Sequence, residues 1–163
     1  MLFTLKRTVF VALLVMAALG GPVLAQGGGG PLANEPELRG LLQQEMQALQ
    51  EALATISTAL PQGQWHTVAE TAGQIHDSFI LQQQLSADAR KTLHQTLPEG
   101  FIRQDQAFHQ QAKKLQHAAE SRDAELSLFY YSKMVESCVS CHSRFATHRF
   151  PSLTAGSSTL NSH

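Results

Sequence analysis

The chain has 163 residues, 43% hydrophobic and 15% charged, with 12 Lys and Arg against 13 Asp and Glu. That apolar content excludes an intrinsically disordered chain, and the even charge balance provides no basic field for nucleic acid. Two cysteines exclude a multi-disulfide scaffold, and the length fits one domain.

Residues 1–25 are predicted to be a secretory signal peptide. Lys6 and Arg7 form a positive start, Val9 to Leu19 is an uncharged apolar run, and Val23-Leu24-Ala25 ends in the small residue a signal peptidase accepts. The run is short for a membrane span, and no Cys follows it that would carry a lipoprotein anchor. Cleavage leaves 138 residues with 10 basic and 13 acidic side chains, a net charge of −3, and no integral membrane span. Export to the periplasm is expected, an oxidising compartment for both cysteines.

Residues 26–34, with four consecutive glycines, are predicted to be a flexible lead-in. A helical domain is expected over 35–151, and a frayed tail over 152–163.

Segment one runs from about Glu35 to Leu60. Leu38, Leu41, Leu42, Met46, Leu49, Leu53, Ile56 and Leu60 mark its apolar stripe. Asn34 is its expected cap, Pro36 fits its first turn, and Pro61-Gln62-Gly63 ends it. Segment two runs from about Gln64 to Gln84 on Trp65, Val68, Ala72, Ile75 and Phe79. Ser86 is expected to cap a short helix carrying Leu93 and Leu97, before a turn at Pro98-Glu99-Gly100.

Segment three, about Ile102 to Ser121, places Phe101, Asp105, Phe108, Ala112, Leu115 and Ala119 on one face, with Asp105 a polar break. Segment four, about Ala124 to Ala146, carries Leu126, Tyr130, Met134, Cys138, Cys141 and Phe145. With no alternating strand pattern, the expected fold is all-α: an antiparallel four-helix bundle.

Cys138-Val139-Ser140-Cys141-His142 is the chemically informative stretch. A C-x-x-C-H run reads as a c-type haem attachment. On a helix, positions i, i+3 and i+4 share a face, so both thiols and the imidazole point one way. Each thiol can add across a haem vinyl group, and His142 then reaches the iron as its proximal ligand. Three other readings compete. They are a Cys138–Cys141 disulfide, a thioredoxin-like centre, which needs a βαβ context, and a zinc site, which needs four ligands. Only 21 residues follow His142 and none is Met, which excludes a small cytochrome whose axial Met lies downstream.

With an exported precursor, four helical segments and C-x-x-C-H in the last helix followed by Phe145, the chain resembles the cytochrome c-prime family. The resemblance implies an antiparallel four-helix bundle with one covalent haem c near its end, and often a homodimer. The chain departs from the family where a basic residue often follows the haem-binding His by four positions: here that residue is Ala146, between Arg144 and Arg149.

The resemblance also implies that a first-helix residue faces the sixth iron position. A Met there gives a six-coordinate electron carrier; an apolar residue leaves the iron open to small gases. Met134 shares the attachment helix, so Met46 is the Met candidate and Leu42 the competing occupant. An Arg often precedes the distal position by four residues, and from Arg39 that count reaches Gln43. His76 and His109, beside the apolar stripes, are the remaining candidates.

The expected function is periplasmic electron transfer through covalent haem, with Cys138 and Cys141 as thioethers, His142 and Met46 as axial ligands, and other redox proteins as partners. The alternative is a five-coordinate protein that binds nitric oxide or carbon monoxide. No nucleophile triad, phosphate loop or second haem motif points to an enzyme.

Overall fold

A computed structural model describes residues 32, 34–78 and 85–153. The predicted signal peptide, most of the Gly-rich lead-in, Phe79 with the predicted end of segment two, and the tail from 154 lie outside the described residues. Among those described the chain is all-helical, with no strand. It forms α1 (Pro36–Ala59), α2 (Trp65–Asp77), α3 (Ala87–Thr96), α4 (Glu99–Glu120) and α5 (Ala124–Phe145). Single 3₁₀ turns cover Leu60–Gln62 and Pro151–Leu153. No helix among the described residues is long and apolar enough to cross a membrane.

The helix ends follow local chemistry. Pro36 starts α1, where its missing N–H costs nothing, and Glu37 lies near the positive end of the helix dipole. The cap position belongs to Glu35, not Asn34, and no side chain there bonds the helix. After α1, Gly63 takes φ 64°, the left-handed value that lets the chain reverse at little steric cost. Ser86 caps α3 as expected, accepting the Ala89 N–H at 3.1 Å. Asp123 caps α5 by accepting the Leu126 N–H at 2.9 Å.

Two boundaries differ from expectation. Pro98-Glu99-Gly100 is the start of α4 rather than a turn before it, because Pro98 occupies the N-cap and its carbonyl accepts the N–H groups of Phe101 and Ile102. Helix α2 stops at Asp77, because Ser78 turns to φ 61°. That conformation is costly for a residue with a Cβ. It is held by the Ser78 N–H on the Ile75 carbonyl at 3.1 Å and the Ser78 hydroxyl on Glu45 Oε1 at 2.7 Å. Ser152 and Leu153, assigned to the tail, belong to the second 3₁₀ turn, which packs on α5.

Successive long helices run antiparallel. Glu45 meets Ser78 across α1 and α2; Gly73 lies by Gln116 and His76 by His109 across α2 and α4. Gln104 donates to the Ser137 carbonyl at 3.2 Å, and Lys114 lies over Tyr130, across α4 and α5. The α2–α4 and α4–α5 contacts are the broadest, whereas α1 and α5 scarcely touch. Among the described residues the Tyr131 hydroxyl links them, donating to the Leu53 carbonyl at 3.4 Å.

The apolar interior is divided. One cluster joins Leu49, Ile56, Val68, Ile75, Phe108, Leu115 and Met134. The other gathers Leu32, Leu38, Leu85, Leu93 and Leu97, with Leu41, Leu42, Phe101 and Ile102 packed against it. Burying each large side chain contributes about 1.5–3 kcal/mol.

Candidate functional site

The last two turns of α5 carry the motif. The inward stripe is fully buried at Ser127 and Met134, then only half-buried at Cys138, Cys141, His142 and Phe145. Cys138 packs against the first apolar cluster, while Phe145 meets Phe101, a residue of the second, edge to face at 5.5 Å. The last two turns of α5 therefore bridge the two clusters.

Both thiols are unpaired. Burial raises the Cys138 pKa. Burial, with the negative charge of Asp105 and the neighbouring Cys138, outweighs Arg144 and pushes Cys141 up to about 11. Both are thus held as thiols. His142 is shifted the other way, below its ordinary 6.5, by burial and then by the charge of Arg149. Its ring stacks on Phe150, centroids 4.1 Å apart and planes 9° apart. The nitrogen lone pair lies in the ring plane, so a stacked ring leaves it open to a ligand bond. Among the described residues neither ring nitrogen makes a hydrogen bond.

Met46 lies differently from expectation. It is 37% exposed and belongs to neither apolar cluster, whereas its neighbour Glu45 is 1% exposed. Successive helical residues differ by about 100°, and the buried stripe of α1 runs through Leu38, Glu45, Leu49, Ala52, Ile56 and Ala59. Met46 stands on its flank. Counting along antiparallel α1 and α5 from the Leu53–Tyr131 link, Met46 comes level with Cys138 and Leu42 with His142, to within about one turn.

His109 and His76 tie α2 to α4. His109 Nδ1 donates to the Ile75 carbonyl at 2.6 Å, and His109 Nε2 lies 3.6 Å from Asp105 Oδ1. His76 Nδ1 approaches the His109 carbonyl at 3.3 Å. Burial opposes a charge on His109, yet the hydrogen bond and charge of Asp105, the Ile75 carbonyl and Glu45 together raise its pKa above 6.5. With the Ile75 carbonyl on Nδ1 and a carboxylate facing Nε2, His109 suits an imidazolium and is not placed as a free ligand. His76, Asp77, Asp105 and His109 line a shallow polar cavity of about 170 Å³. Among the described residues no three His, Cys, Asp or Glu side chains converge as a metal-binding group.

Sequence reasoning missed three partners. Glu45 was hidden as a charged residue within an amphipathic helix. Phe150 lies beyond the last periodic position. Asp105 was visible as a polar break, and its i,i+4 spacing to His109 was the available signal. Comparisons of the chain with protein-family models, with curated proteins and with solved structures find no match.

Proposed function

We propose that this chain is an exported monohaem c-type cytochrome that carries single electrons in the periplasm. Its four long helices, α1, α2, α4 and α5, would form the bundle, with α3 an addition in the α2–α4 connection. The observation that carries the reading is the placing of two unpaired, half-buried thiols and an unbonded imidazole on one face of α5, where the apolar interior divides.

These residues fit a haem. Cys138 and Cys141 are one helical turn apart, and a free thiol adds across a vinyl group with no leaving group. Their partial exposure leaves them within reach of a planar molecule. His142 is kept neutral by burial and Arg149, the state an iron ligand requires. Phe150 holds the imidazole plane, and Phe101 with Phe145 provides an aromatic floor. When bound, the haem supplies a one-electron iron couple, whose potential is raised by Met/His ligation. Met46 is the proposed sixth ligand, from α1, on the register given by Leu53 and Tyr131.

A second reading, an open iron that binds nitric oxide or carbon monoxide, is favoured by one observation. Met46 is exposed, whereas Leu42, level with His142, packs against an apolar cluster.

The test is the optical spectrum of the exported protein, oxidised and reduced, before and after carbon monoxide, with its mass under denaturing conditions. The expected result is one covalent haem and sharp reduced bands unmoved by carbon monoxide. Bands that shift would select the gas-binding reading, and no Soret band would remove both.

A further inference from the structure

The His142 imidazole is in stacking contact with a ring that is itself 37% exposed, that of Phe150. The stretch of chain that carries Phe150 has one sign of charge. From Ser137 to His163 the chain contains no Asp or Glu, yet it carries Arg144 and Arg149, with His148 between them. All three are exposed, and among the described residues neither arginine is in an ion pair. Of the acids near this end, Glu99 pairs with Arg103, and Asp105, whose charge also reaches Cys141, faces His109. Val139, on the same end of α5, adds an exposed apolar side chain. The rest of the mature chain is acidic, with 8 basic and 13 acidic residues over 26–136. An aromatic centre with a single-sign rim is the arrangement by which charge steers a transient partner and apolar contact seats it.

We propose that Phe150, stacked on His142 and collared by Arg144, His148 and Arg149, is the docking point for an acidic redox protein that exchanges its electron there. The inference rests on the haem reading above. One electron crosses, the partner is oxidised by one and this protein reduced by one, and no bond or proton changes place.

The test uses the full haem-loaded protein and a strongly acidic [2Fe–2S] ferredoxin. Reduced ferredoxin is mixed with oxidised protein, and the second-order rate constant is followed against salt. The constant should fall roughly tenfold between about 10 and about 200 mM ionic strength. R144E/R149E should lower it roughly tenfold at low salt and remove the salt slope. Phe150→Ala should slow transfer and keep the slope. Arg122→Glu, in the α4–α5 turn, should change neither.

A second readout needs no electron transfer: with both proteins reduced, amide shifts should concentrate between residues 139 and 150. A normal Soret band with a salt-independent rate constant, or shifts elsewhere, would overturn the docking site alone. Shifts in those amides that grow with concentration before ferredoxin is added would mark an interface between copies, and also overturn it. A protein without a Soret band would overturn the haem reading, and this proposal with it.

Discussion

His109 and Asp105 lie one turn apart on α4, and their side chains approach to 3.6 Å while the other nitrogen of His109 holds the Ile75 carbonyl of α2. The imidazole therefore joins two helices through the Nδ1–H it donates to the α2 carbonyl, while the Asp105 carboxylate faces its Nε2. Glu45 from α1 adds a negative charge, and His76 from α2 stands beside it. A histidine whose folded pKa is raised contributes stability that is fully present below its unfolded value, near 6.5, and is lost as pH rises through the folded value. Urea unfolding of the wild type should thus weaken across that window relative to His109→Gln, which should be flatter. Parallel pH profiles for the two proteins would refute the charged pairing.

Met46 separates the two functional readings. Its exposure means that Met46→Leu removes little packing, and the stability change should stay under about 1 kcal/mol. If Met46 is the sixth ligand, the variant's reduced spectrum becomes sensitive to carbon monoxide while the wild type's is not. A wild type already sensitive, with a variant identical to it, assigns the distal face to Leu42 or another apolar residue.

Met134 is 0% exposed, one turn before Cys138, and is the buried contribution of α5 to the larger apolar cluster. Met134→Ala should cost about 2–5 kcal/mol, measured by chemical denaturation. The adjacent exposed Val135→Ala should cost well under half as much. Equal losses would mean that α5 is rotated from the position described.

The boundaries of α1 were legible because they depend on neighbours in sequence, a proline in the first turn and a Pro-Gln-Gly run after the last, and the start of α5 at Ala124 was legible although its Asp123 cap was not read. The C-x-x-C-H motif was legible for the same reason, since helical periodicity alone brings Cys138, Cys141 and His142 to one face. The short helix after Ser86 was equally local.

Other features were settled by contacts between distant segments. Ser78 ends α2 because Glu45, 33 residues earlier, holds its hydroxyl. Glu45 takes the buried place on its turn, and Met46 the exposed one, because Ser78 partners the carboxylate there. His142 faces Phe150 because the chain bends back after Ala146, beyond the reach of any periodic signal. A repeating pattern reports which residues share a helical face. Which face is covered, and by what, depends on how the helices meet, and that is a property of the folded chain.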